Sequence, residues 1–283
     1  MSENFKRLYY DDFTGFGVHH TWGDDASLST VGYLHYDTDS FFMYFKKGTG
    51  NIKIEGHHHR IEQGDVVILN PSELYLCNVD KNFEHERISL CFNENFAKNF
   101  NGDISELLST FCKRKKGEGN FIKSKKVKEL HIDSLFEECV LYAKSPLASG
   151  RVMAACKFLE TMSIVSRTLS DARDEKVYRD PLTEKILKYI NAHFTQNISI
   201  ADISEHFYMD KYNFCHYFKK QVGVSAWNYI IFRRLNFCNE LIKQNVSIDE
   251  ASYRAGFRNY SNFFRLYKKY MRITPKEFKK LTE

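Results

Sequence analysis

Two short stretches near the C-terminus carry side chains suited to reading nucleic acid. The first holds Lys211, Tyr212, Asn213, Cys215 and His216, the second Asn259, Tyr260, Ser261, Asn262 and Arg265. Asn and Arg present donors and acceptors matching adenine and guanine edges in the major groove, while Tyr stacks or meets phosphate. An ordinary polar helix surface is the competing reading for any one of them. Elsewhere no catalytic set assembles. The chain has no Ser-His-Asp constellation, no phosphate-cradling Gly loop and no H-E-x-x-H, so no enzymatic reaction, catalytic residue or cofactor is expected. His57-His58-His59 alternate faces in a strand, so at most two could share a metal. They sit by a turn, and a solvated histidine turn with no metal is the expectation.

Both stretches belong to an internal duplication. Ser199-Ile200-Ala201-Asp202-Ile203-Ser204 matches Ser247-Ile248-Asp249-Glu250-Ala251-Ser252 at an offset of 48, and Phe214, Phe218, Lys219 and Lys220 match Phe263, Tyr267, Lys268 and Lys269 at 49. The offset changes where Tyr208-Met209-Asp210 faces Ala255-Gly256-Phe257, which makes that stretch a turn. Each unit then reads as a Ser-capped short helix, a turn, and a second helix with a buried aromatic stripe and a terminal Lys-Lys pair. That is a helix-turn-helix. Residues 225–244 lack Gly and Pro and read as one connecting helix about 30 Å long. Successive major-groove faces on one side of B-DNA lie about 34 Å apart, so one chain could occupy two of them.

Charge agrees. Residues 176–283 hold 19 Lys/Arg against 10 Asp/Glu, while residues 1–175 hold 22 against 26, so a segment at +9 sits beside one at −4. A basic segment of this kind suits a polyanion partner. The 283-residue chain has room for one large domain or two ordinary ones, and at 43% hydrophobic and 15% aromatic it can build real cores and is too apolar for a disordered chain. No apolar run reaches membrane-spanning length, and no membrane partner is expected. The N-terminus lacks the basic-then-apolar pattern of a signal peptide. The seven scattered cysteines form no C-x-x-C, which suits reduced thiols in a cytoplasmic protein.

The fold class expected is α+β and multidomain. Residues 1–102 read as β: Ile88, Leu90 and Phe92 alternate, Ile52 and Ile54 alternate, and Val66–Leu69 is a strand buried on both faces. Close-spaced short strands mean a small barrel or sandwich. Residues 103–170 read as a helical, dimerising segment, with helices over 127–143 and 151–170 interrupted by Pro146 and Gly150. The second carries a stripe of Val152, Ala155, Leu159, Met162, Ser166 and Leu169, a packing face or a dimer seam. Residues 171–180 are the linker and residues 181–283 the DNA-binding domain.

The stretch from Ser247 through Ala255-Gly256-Phe257-Arg258-Asn259-Tyr260-Ser261-Asn262-Phe263-Phe264-Arg265, with Lys268-Lys269 and Thr274-Pro275, resembles the AraC/XylS family of bacterial transcription regulators. Tyr217-Phe218-Lys219-Lys220, Gly223 and Arg233-Arg234-Leu235 extend the likeness over residues 181–283. Ser204, Ser252 and Arg272 depart from the common pattern. The resemblance implies a seven-helix double helix-turn-helix domain with its two recognition helices in adjacent major grooves of promoter DNA.

Lys47-Gly48-Thr49-Gly50, Glu62 through Pro71 and Glu86 through Phe92 resemble the cupin-like sensor half of such regulators. This implies a β-barrel binding a small-molecule effector of unknown class, followed by helices that form a homodimer, in a regulator (an activator in the fullest form of the reading) that meets RNA polymerase. The aromatic-lined interior nominates Tyr33, His35, Phe42, Tyr44 and Tyr75 for the effector pocket. Two rivals for this half are a cupin metalloenzyme and a non-sensing dimerisation scaffold. Tyr75 and Phe41 stand where a metal-binding cupin would want His and a carboxylate.

Overall fold

The computed structural model describes residues 5–11, 15–23, 34–35, 39–71, 73–80, 84–93, 96, 107, 111, 114–171, 180–271 and 273–282. The chain divides into two compact units, residues 1–178 and 179–283.

The first unit holds ten strands among its described residues. β1 (Phe5–Asp11), β2 (Phe16–Gly23), β4 (Ser40–Lys47), β7 (Val66–Leu69), β9 (His85–Phe92) and β10 (Phe121–Ile122) form a six-stranded sheet in the order β1-β2-β9-β4-β7-β10. β3 (Leu34–His35), β5 (Gly50–Ile54), β6 (His57–Ile61) and β8 (Tyr75–Val79) form a four-stranded sheet in the order β3-β8-β5-β6. Every pairing is antiparallel. β10 comes from within the segment read as purely helical, and antiparallel pairing to Val66 and Val67 makes it part of the sheet.

Helices α1 (Ser124–Glu129), α2 (Ile132–Ala143) and α3 (Ala148–Asp171) follow. The helix expected from residue 127 is broken at His131, whose φ of 54° ends α1 before α2 begins. Pro146 lies in the connection and Gly150 in the first turn of α3, at the helix start.

The six-stranded sheet is buried on both faces, which decides the side-chain arrangement. Met43, Phe45, Val67 and Leu69 meet Ile52, Ile54, Ile61, Tyr75, Cys77 and Val79 of the smaller sheet. On the other face Phe16, Val18, Phe42, Tyr44, Val66, Ile68, Ile88, Leu90 and Phe92 pack on α2 and α3. Phe158 of α3 is the centre of that layer, with its ring 4.6 Å from Phe16, 5.2 Å from Phe92 and 6.0 Å from Phe42. The buried stripe of α3 is therefore Ala154, Phe158, Thr161, Met162, Val165 and Ser166. Of the stripe read from sequence, Met162 and Ser166 are buried, Ala155, Leu159 and Leu169 pack half-buried against the same core, and Val152 is exposed. A helix packed on a curved sheet buries a wider, rotated band than a strict heptad seam.

The second unit holds seven helices among its described residues: α4 (Pro181–His193), α5 (Ile200–His206), α6 (Lys211–Val222), α7 (Ala226–Lys243), α8 (Ile248–Arg254), α9 (Tyr260–Met271) and α10 (Pro275–Thr282). Sequence chemistry sets their starts. Ser199 caps α5 in a reciprocal box with Asp202, Ser225 caps α7 and Ser247 caps α8. α6 ends at Gly223, whose φ of 94° is the left-handed C-cap that glycine suits. α7 is the strut of the unit, with buried residues from Ala226 to Ile242 on several sides. It is joined to its neighbours by tyrosine–asparagine hydrogen bonds: Tyr267 Oη to Asn239 Oδ1 at 2.5 Å, Tyr270 Oη to Asn228 Oδ1 at 3.2 Å, and Tyr229 Oη to Asn191 Oδ1 at 3.4 Å.

Candidate nucleic-acid interface

α5 and α6 form one helix-turn-helix and α8 and α9 the other. The two turns repeat in atomic detail. Tyr208 N donates to Glu205 O and Met209 N to Ser204 O; Gly256 N donates to Tyr253 O and Phe257 N to Ser252 O. The aromatic stripes expected to face inward do so: Phe214 and Phe218 of α6 and Phe263 and Tyr267 of α9 are at most 1% exposed. The same burial turns the other sides of both helices outward. Lys211, Tyr212, Asn213, Cys215 and His216 are exposed on α6, and Tyr260, Ser261, Asn262 and Arg265 on α9, with Asn259 exposed at its start.

The two faces differ at their N-termini. Asp210 caps α6, its carboxylate accepting from the backbone N–H of Tyr212 and Asn213, both at 3.0 Å, and from the Asn213 side chain. These bonds, the Asn213 N–H foremost, hold the Asp210 carboxyl below its usual range. α6 thus begins with a negative charge. α9 begins with a neutral cap, since Asn259 Oδ1 accepts from Asn262 N at 2.8 Å. Asn213 and Asn259 therefore spend part of their hydrogen-bonding capacity on helix ends. Asn262 and Arg265 do not, and Arg265 Nη2 donates to Asn262 Oδ1 at 2.9 Å on the open face.

Sequence reading passed over three outward side chains. Phe264 is 37% exposed, lies beside Tyr260 and widens the aromatic part of the α9 face. Arg258 is exposed just before α9, and Tyr208 is 98% exposed in the first turn. The signal for Phe264 was its place between buried Phe263 and outward Arg265; reading aromatics as core hid it.

In the first unit the nominated pocket residues Phe42, Tyr44 and Tyr75 do not converge. Phe42 and Tyr44 face the helical layer, while Tyr75 faces the core between the sheets. Every position from Phe41 to Phe45 is aromatic or Met, so alternation alone could not tell which face of β4 meets the smaller sheet; the odd-numbered residues do. Burial and Asp133 raise the Tyr44 phenol pKa, as suits a hydroxyl held in that helical layer. His35 opposes Tyr75 in the β3–β8 register. Tyr33 lies outside the described residues.

The histidine run is not a solvated turn. It is a strand, β6, and the turn is Glu55-Gly56 before it. His57 is only 3% exposed, His58 is exposed, and the His59 ring stacks on Phe121 with centroids 4.3 Å apart. Burial, with His57, Lys123 and His58 nearby, pulls the His59 imidazole down to about 4. Tyr75 and His57 both lie opposite Ile54 in register, one on each side of β5. Among the described residues no group of three metal-ligating side chains gathers.

Comparison with known proteins agrees with both halves. Residues 203–281 match the helix-turn-helix domain family and residues 32–138 the AraC-like ligand binding domain family. The chain is 24% identical over 266 residues to the HTH-type transcriptional regulator YdiP of Escherichia coli K12, covering 92% of this chain and 84% of that one. It is 26% identical over 100 residues to the melibiose operon regulatory protein of the same strain, covering 35% and 33%. Among solved structures, unsaturated fatty acid-bound ToxT from Vibrio cholerae aligns over 96% of this chain and 98% of that one, at 17% identity and a TM-score of 0.41.

Proposed function

Because the chain belongs to the AraC family of transcriptional regulators, we propose that it grips promoter DNA with both helix-turn-helix units at once, α6 in one major groove and α9 in the next. The observation that carries this reading is the repeated outward face, two sets of polar and basic side chains opposite two buried aromatic stripes. The length of α7 supports it: 18 residues make about 27 Å, close to the groove repeat. Asn262 and Arg265 read bases; Lys211, Tyr212, His216, Tyr260 and Ser261 supply further base and phosphate contacts, with Asn213, Cys215 and Asn259 at the interface.

The first unit is the sensor in this reading. Its effector sits between the two sheets beside Tyr75, His57 and His59, polar-tipped side chains in an otherwise apolar layer. The exposed apolar residues Leu141, Leu147, Val152 and Met153 on α2, α3 and their connection favour a homodimer seat there. Contact with RNA polymerase and a cytoplasmic location complete the proposal, which includes no catalytic step. Among the described residues no helix is long and apolar enough to cross a membrane.

Selection of random duplexes by the full-length protein tests the reading. The expected result is a bipartite site bound with an affinity that falls steeply as salt rises. Recovery of no sequence above bulk DNA contradicts it.

A further inference from the structure

The two turns share one conformation but not one residue. Tyr208 occupies in the first (φ 54°) the place that Gly256 occupies in the second (φ 92°). The first copy shows that the turn itself accepts a side chain. Glycine in the second answers to a neighbour: a Cβ at position 256 would lie 2.6 Å from Thr195 O and 2.9 Å from its carbonyl carbon. Thr195 belongs to the connection between α4 and α5, at the foot of the first helix-turn-helix. The turn of the second helix-turn-helix is thus pressed against the backbone of the connection leading into the first.

Arg234 of α7 locks the same place. It is 7% exposed. Its Nε donates to Phe194 O at 2.6 Å and its Nη2 to Gln196 O at 2.8 Å, the carbonyls on either side of Thr195. Its guanidinium carbon lies 5.9 Å from the centre of the Phe257 ring, the residue after Gly256. One buried cation therefore ties together the connection into the first helix-turn-helix, the central strut and the turn of the second.

We propose that Arg234, Gly256 and residues 194–196 form a rigid joint that fixes the spacing and phase of α6 relative to α9, so that the protein selects its operators by the distance between half-elements as well as by their sequences. Arg234 is a positioning residue in this account and touches no base. The inference rests on the two-groove reading above. A packed joint of backbone on backbone has little compliance, so a duplex whose half-elements are out of phase can engage only one helix.

The test uses full-length protein and the bipartite site recovered by selection, along with duplexes carrying one half-element and duplexes with inserted base pairs between the two. Inserting about 5 bp, half a turn, is expected to cost the native protein about tenfold or more in affinity. Arg234→Met keeps the stem's apolar packing and loses the clamp. It is expected to bind each single half-element as the native protein does, while losing most of the penalty for the insertion. Gly256→Ala, which wedges the joint from the other side, is expected to shift or flatten the spacing profile and serves alone if Arg234→Met loses helicity. A native protein indifferent to spacing, or variants with the native profile, overturns the joint while leaving two-groove binding intact. Failure to recover a second half-element overturns the two-groove reading itself.

Discussion

Arg265 Nη2 and Asn262 Oδ1 are hydrogen-bonded across 2.9 Å on the open face of α9. The two side chains best suited to reading bases therefore orient each other before DNA arrives. Asn262→Ala and Arg265→Ala are each expected to weaken specific binding by about 1–3 kcal/mol, and random DNA less. Because each removes the other's partner, the double variant should lose less than the two single losses together. Equal losses on specific and random DNA would make both phosphate contacts, and strict additivity would make them independent.

Cys215 and Cys156 are the exposed thiols among the described cysteines, and only Cys215 lies on a recognition helix. In a Cys156→Ser background, alkylating Cys215 with a bulky maleimide is expected to abolish specific binding, and bound operator is expected to slow the alkylation. Unchanged affinity after full modification would place α6 away from the duplex.

His59 is held neutral by its surroundings, with its pKa near 4 against about 6.5 when unfolded. The unfolded chain thus binds the extra proton between these values, so stability falls as pH drops through that window. After allowance for solvent around a partly exposed ring, the loss is expected to be on the order of 1–2 kcal/mol. Thermal denaturation of the native protein and of His59→Gln between pH 7 and pH 4 checks this. The variant should lose less, and parallel profiles would assign the acid sensitivity elsewhere.

The DNA-binding half was legible because it is written twice. A repeated pattern of Ser caps, aromatic stripe and Lys pair fixes which side of each second helix is buried, and hence that Lys211 and Arg265 point outward. What the repeat hid was its own asymmetry: Tyr208 and Gly256 align in sequence, but only the structure brings Thr195 against Gly256. The sensor half was less legible because a sheet buried on both faces has no polar side. Phe41 through Phe45 gives no parity, so no local pattern tells that Phe42 and Tyr44 face the helical layer while Met43 and Phe45 face the smaller sheet. The burial of His57 comes from register with Ile54 across β5, which no local pattern announces.

Hydroxyl-radical footprinting of the full-length protein on its selected site tests most directly whether one chain holds two grooves. Two protected stretches about one helical turn apart are expected. Lys211→Ala with His216→Ala should erase one, and Asn262→Ala with Arg265→Ala the other. A single protected stretch, or both pairs of substitutions erasing the same one, would contradict the account.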